Sequence, residues 1–159
     1  MTSSDYREKL RQKRQILETC LAHKVRLYGQ FRQARQQSVA DLADPALPDA
    51  QIPSEAMREA LFAELINGSV QLDALGREIA LLESLRKEDR LYRQVQLGAV
   101  VKTDGSNFLV AVNQTPFRVA GEEYVCVSPQ SPFLRFAQGL IRGDSFTVAN
   151  RNYLIREVF

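Results

Sequence analysis

The sequence predicts an α+β protein: a long antiparallel α-helical hairpin, paired as a coiled coil, followed by a small antiparallel sheet with one short helix. Three observations predict it. Residues 4–38 contain no proline and set leucines and aromatics at helical intervals. Residues 54–90 carry a second apolar seam with a/d spacing. From about residue 93 the pattern changes to short runs of β-branched and aromatic residues separated by turn formers.

In the first helix Leu10, Leu17, Leu21, Tyr28 and Phe31 form the stripe, and Lys, Arg, Gln and Glu fill the gaps as good helix formers on a solvated face. The stretch "VADLADPALPDAQIP" at 39–53 then breaks the pattern with Asp and Pro and is expected to be the loop at the tip of the hairpin. Ser54 is a plausible N-cap for the second helix, with Glu55 in its first turn. Leu61, Leu65, Leu72, Leu75, Ile79 and Leu82 form its seam, with Gly68 in the middle position. Asn67-Gly68 is ordinarily a turn signal, and Gly29 falls roughly opposite. A kink or a close backbone approach is expected there, with Tyr28 and Phe31 filling the thin point. Each arm, at a rise of ~1.5 Å per residue, would be roughly 50 Å long.

The second half reads "VQLGAVVKT", "NFLVAVN", "PFRVAG", "EYVCVS", "SFTVAN" and "YLIREVF", punctuated by Asp104-Gly105, Gly121, Pro129 and Gly143. Between these runs, "SPFLRFAQGL" at 131–140 has Ser at the N-cap, Pro at the first helical position and Gly near the end, the marks of one short helix. The expected organisation is a helical hairpin over 1–92 (helix about 4–38, acidic tip loop 39–53, helix about 54–90) and a second domain over 93–159.

Composition narrows the function classes. Apolar residues make up 45% and charged residues 25% of the chain, which is the balance of a globular rather than a disordered protein. No run approaches the ~18 apolar residues of a membrane span, and the N-terminus lacks an apolar signal region, so a cytoplasmic protein with no membrane partner is expected. Cys20 and Cys126 lie far apart without metal-ligand spacing and are expected as packed thiols. With His23 the only histidine and no Gly-rich phosphate loop, the common nucleophile, metal and nucleotide motifs are missing. No enzyme with an active site of its own is expected, and no intrinsic cofactor.

The net charge of +2 hides a segregation. Residues 1–40 carry Arg7, Lys9, Arg11, Lys13, Arg14, Lys24, Arg26, Arg32 and Arg35 against three carboxylates. Residues 41–66 carry Asp41, Asp44, Asp49, Glu55, Glu59 and Glu64 against Arg58 alone. Two readings are open: solvated helix faces that attract each other across the hairpin, or a basic shaft with an acidic tip.

The C-terminal half resembles the C-terminal domain of the bacterial Gre transcription elongation factors, and divergent Gre-like proteins especially. The matching stretches are "GAVV" at 98–101, "VSPQSPFLRFAQGLIRGDSFTV" at 127–148 and "YLIREVF" at 153–159, with Ser131-Pro132, Gly143-Asp144 and Glu157-Val158 in the family's places. The resemblance implies an FKBP-like sheet. It implies RNA polymerase as the partner, docking of the C-terminal domain near the mouth of the secondary channel through the Ser131, Pro132, Gly143 and Asp144 region, and insertion of the coiled coil toward the active centre. It also implies tip carboxylates, here Asp41 and Asp44, that act in trans on a polymerase-held Mg²⁺ and so make indirect contact with the transcript. Mg²⁺ accepts one or two carboxylates while keeping waters, and paired metals stabilise attacking and leaving oxygens. Asp41-Leu42-Ala43-Asp44 matches the family's Asp-Leu-x-Glu with Asp in the last place, and Pro45-Ala46-Leu47-Pro48 stands where the family continues into helix.

The expectation is therefore a monomeric regulator that binds RNA polymerase, in a version that stimulates cleavage of backtracked RNA or in a non-cleaving version that occupies the channel. A structural coiled-coil adaptor and a prolyl isomerase are the readings from other classes, the last weakened because a shared fold does not carry an active site with it.

Overall fold

A computed structural model describes residues 1–42 and 54–159, with side chains throughout those ranges except at residues 40–42. The chain contains helices α1 (Ser3–Leu42) and α2 (Glu55–Lys87), strands β1 (Val100–Thr103), β2 (Asn107–Val110), β3 (Gln114–Val119) and β4 (Glu122–Val127), helix α3 (Pro132–Ala137), and strands β5 (Ser145–Val148) and β6 (Arg151–Val158). It packs as two compact units, residues 1–22 with 80–159, and residues 23–79. Among the described residues no helix is long and apolar enough to cross a membrane.

The first unit is built on a six-stranded sheet of order β3-β4-β2-β1-β6-β5. β1/β2, β1/β6, β3/β4 and β5/β6 are antiparallel as expected, but β2 and β4 run parallel, with Asn107 opposite Tyr124 and Val110 opposite Val127. Two tight turns close the outer hairpins with both central residues at positive φ: Ala120 and Gly121 between β3 and β4, and Ala149 and Asn150 between β5 and β6. That geometry matches the right-handed twist of the strands it joins.

The central strands are covered on both faces, which explains why "GAVV" and "FLVAV" read as continuous apolar runs rather than alternating ones. One face holds Val101, Phe108, Val110, Val127 and Ile155 against α3, which contributes Phe133, Leu134 and Ala137. Phe108 and Phe133 meet with ring centroids 4.3 Å apart, and Phe146 meets the edge of Phe133 at 5.1 Å. The other face takes the start of α1: Cys20 of α1 touches Cys126 of β4, and Gln12 donates to the Tyr124 hydroxyl at 3.4 Å. Tyr124 and Phe159 are fully buried, as are Ile16 and Leu17 of α1.

Gly98 joins the end of α2 to the sheet and has a real backbone requirement. Its φ is +92°, and a Cβ there would lie 2.9 Å from Leu85 Cδ2 and 3.2 Å from Tyr92 Cε2. Thr103 organises the β1–β2 turn: its hydroxyl accepts from Gly105 N and Ser106 N and donates to Ser106 O at 2.6 Å.

In the second unit, residues 23–42 of α1 and 55–79 of α2 run antiparallel. Lys24, buried on α1, pairs with Glu78 at 2.7 Å, and Leu72 and Leu75 are buried in the seam. Toward Leu42 and Glu55 the seam opens. A groove of about 680 Å³ is lined by Ala34 and Ser38 of α1 and by Ala60, Leu65 and Gly68 of α2, among others. Residues 32–39 supply mostly Gln, Arg and Ser, which cannot cover the apolar face of α2, so Leu61 and Leu65 are only half-buried and Phe62, Ile66 and Val70 are exposed.

Three expectations for the helices need correction. The close approach at Gly29 and Gly68 is absent, since a Cβ at either would meet nothing within 4 Å, and α2 is unbroken α-helix through Asn67-Gly68. The intrahelical hydrogen bonds of a long helix outweigh a local Asn-Gly turn preference there. Phe31 does not plug the thin point either: it lines the groove and stays 40% exposed. Finally α1 runs to Leu42 rather than ending near residue 38, so Val39, Ala40 and Asp41 continue the helix instead of opening the loop. No proline precedes Pro45, and nothing earlier forces a stop.

Candidate functional site

The short helix and the turn after it present the exposed face on which the docking expectation falls. Ser131 adopts the extended backbone of an N-cap (φ −69°, ψ 149°), and Pro132 takes the first turn, where its missing N–H is no loss. The Ser131 hydroxyl makes no cap bond and is buried without a partner, so the residue acts through its backbone: its carbonyl accepts from Leu134 N at 3.1 Å. Gly139 (φ +79°) ends the helix and donates to Val95 O at 2.8 Å, while Val95 N donates to Leu140 O at 2.8 Å. The segment before β1 is thereby locked to the segment after α3.

Gly143 and Asp144 shape the next turn. Gly143 sits at φ +95°, and the Asp144 carboxylate accepts from Ile141 N at 2.9 Å. Their main chain then joins the sheet, with Gly143 N donating to Ile155 O and Ile155 N to Asp144 O, both at 2.9 Å. All four residues singled out by sequence therefore build the local frame. Beside the exposed Pro132, the large apolar side chains left outside that frame are Phe136 at 57% and Ile141 at 51%, next to the exposed Arg135 and Arg142. Sequence reasoning missed Phe136 and Ile141. A helical wheel over 132–137 holds the signal, because Phe133, Leu134 and Ala137 take the buried side and leave Phe136 outside it.

The basic character of α1 divides in two. Lys13 is buried: its ammonium donates to Arg90 O at 2.7 Å and sits 4.1 Å over the Tyr92 ring. Burial pulls its pKa down to about 8, against a smaller upward pull from Glu88. Lys9 pairs with Glu157 and lies over the Phe159 ring, and its pKa is lowered by burial and then by Lys102. Arg14 pairs with Asp89 and Lys24 with Glu78. These four cations hold structure together. Arg7, Arg11, Arg26, Arg32 and Arg35 are exposed and make up the outward basic surface.

At the acidic end Glu55, Glu59 and Glu64 are exposed on α2. Asp41 lies in the last turn of α1 by its backbone, its side chain outside the description, and Asp44 lies outside the described residues altogether. The structure therefore does not bring the two predicted tip carboxylates together or hold them apart. Among the described residues no group of three His, Cys, Asp or Glu could hold a metal ion.

Fold and exposed face define the protein by architecture: two long antiparallel helices followed in sequence by a six-stranded α+β sheet crossed by one short helix, the element order that the Gre resemblance implies. No protein-family description matches the sequence, and no curated protein does. Among solved structures the chain is similar to the crystal structure of GreA factor homolog 1 of Thermus thermophilus, at 15% identity and a TM-score of 0.34, over 87% of this chain and 94% of that one.

Proposed function

We propose that the protein is a bacterial transcription factor that binds RNA polymerase through its C-terminal sheet unit and places the end of its helical hairpin in the secondary channel. One observation carries the reading: the block with the family's motifs, 127–148, folds as strand, Ser-Pro-opened helix, Gly-Asp turn and strand, and its fixed backbone leaves an apolar and basic face at Phe136, Ile141, Arg135 and Arg142. A rigid frame presenting exposed aromatic and Arg side chains suits a protein interface. The frame residues Ser131, Pro132, Gly143 and Asp144 position the face, and Phe136 and Ile141 make the contact.

The hairpin delivers charge. Asp41 and Asp44 would supply oxygens to a Mg²⁺ held jointly with the polymerase, and that ion would activate water and neutralise the leaving oxygen of the transcript. Asp is one methylene shorter than the Glu of the family motif, and a displacement of ~1 Å removes much of a positioned group's effect. The non-cleaving reading, a channel occupant that modulates transcription, is favoured by that shorter side chain.

Binding to core RNA polymerase, followed by co-elution at micromolar concentration, tests the reading. The wild type binds, and Phe136→Asp/Ile141→Asp weakens binding at least about tenfold, the size of losing one modest interface anchor. Absence of binding by the wild type refutes the proposal. Transcript cleavage in stalled complexes, compared between wild type and Asp41→Ala/Asp44→Ala and run beside an initiation assay, then separates the two versions: loss in the variant supports metal ligation in trans, equal behaviour refutes it, and no cleavage by the wild type with altered initiation supports the non-cleaving one.

A further inference from the structure

The chain has two cysteines, and the fold brings them together. Cys20 on α1 is fully buried, Cys126 on β4 is 5% exposed, and their sulfurs lie 3.6 Å apart although 106 positions separate them in sequence. A thiol pair at van der Waals contact is short of a disulfide by only about 1.5 Å, given the ~2.05 Å bond length. Helix and strand are both anchored around the pair: Ile16 and Leu17 lie one turn before Cys20 and are buried, and Tyr124, two residues before Cys126, is fully buried and bonded to Gln12 of α1. The two sulfurs are therefore held near each other by the same packing that makes the unit.

We propose that Cys20 and Cys126 are a redox-modification site: a small peroxide converts them to a disulfide that ties α1 covalently to β4. The first step falls on Cys126, the residue of the two with residual exposure. Its thiolate attacks one peroxide oxygen, the O–O bond breaks, and the departing oxygen leaves as water after taking a proton, giving a sulfenic acid. Cys20 sulfur then attacks the sulfenic sulfur, the S–O bond breaks, and the hydroxyl leaves as a second water with the Cys20 proton. In sum two thiols and one hydrogen peroxide give one disulfide and two waters, a two-electron oxidation of sulfur matched by the two-electron reduction of peroxide.

In a reducing compartment protein disulfides are transient and redox-sensing rather than structural, and there a pair held 3.6 Å apart fits a signal better than a staple. Formation would close a loop of about a hundred residues that includes all of residues 23–79. A closure of that length restricts the unfolded chain strongly and resists unfolding of the sheet unit.

The experiment treats the full-length reduced protein with hydrogen peroxide, quenches it under denaturing conditions, and counts thiols. The expected result is a fall from two thiols per chain to none, a monomer lighter by two hydrogens, and a proteolytic peptide joining Cys20 to Cys126. Reversal by a dithiol reductant and a higher urea midpoint in the oxidised form are expected with it. Retention of both thiols, over-oxidation to sulfinic acid without the joined peptide, or a cross-linked dimer overturns the proposal. Cys20→Ser and Cys126→Ser are expected to retain one titratable group that oxidises without intramolecular linkage. The wild-type peptide map decides the matter even where a serine variant folds poorly.

Discussion

Replacing the buried amine of Lys13 should flatten the dependence of stability on pH. The ammonium has left water for a site under the Tyr92 ring and the Arg90 carbonyl, and its pKa falls from 10.5 to about 8 on folding. Glu88, Arg90 and Tyr92 are the other titratable groups facing it. Between these two values the unfolded chain carries a proton that the folded chain has released, so stability rises with pH. A one-site linkage with these pKa values gives a gain of about 2 kcal/mol between about pH 7.5 and pH 9.5. Tyr92, whose pKa is raised by burial and by its bond to Glu88, and Tyr124, raised by burial and by Glu122, keep their protons through that window and oppose the trend only above it. In Lys13→Met the amine is gone and its contribution disappears, leaving only the rise from Lys9, whose pKa burial also lowers, while the Arg90 carbonyl loses its donor. Urea unfolding followed by circular dichroism at the two pH values measures both proteins. If wild type and variant gain the same stability between them, the reasoning about Lys13 is wrong.

Gly98→Ala should destabilise the sheet unit by about 2–4 kcal/mol, from a left-handed backbone that alanine resists and a Cβ pressed against Leu85 and Tyr92; chemical denaturation checks it. Gly68→Ala should do the opposite, raising helix stability by about 1 kcal/mol because nothing lies within 4 Å of the new methyl group, and thermal melting should show a higher midpoint. Tyr124→Phe removes the donor to Glu122 and the acceptor for Gln12 inside a fully buried ring, and should reduce stability by about 1–2 kcal/mol by urea titration.

Both long helices and every strand were legible in the sequence, because periodicity and β-branched runs report directly which side of an element meets the core. The parallel pairing of β2 with β4 was not. Strand neighbours are chosen by the packing of the whole sheet, and "NFLVAV" and "EYVCV" look alike whether they run together or opposed. The seam between the helices is legible as far as Leu72 and no farther, since the polar residues of 32–39 suit a solvated face and do not report the apolar surface of α2 that they leave uncovered. Around α3 the motif residues Ser131 and Asp144 act on the backbone, whereas Phe136 and Ile141, which carry no motif, are the exposed side chains. Lys13 and Lys24 read as surface charge because apolar periodicity marks only the apolar positions of a buried face, and these two lysines are polar positions within it. The meeting of Cys20 with Cys126 belongs to the same class of tertiary facts.

The way the sheet unit draws on distant parts of the chain sets the order in which the protein can mature. Ile16, Leu17 and Cys20 are made before every strand, β1 to β6, of the unit they are packed into. During synthesis that apolar stripe on α1 has only the following helix to lean on, and the sheet cannot close until β6 pairs with β1. Closing the unit is thus a long-range event that waits for β6, and contacts of such sequence separation form slowly.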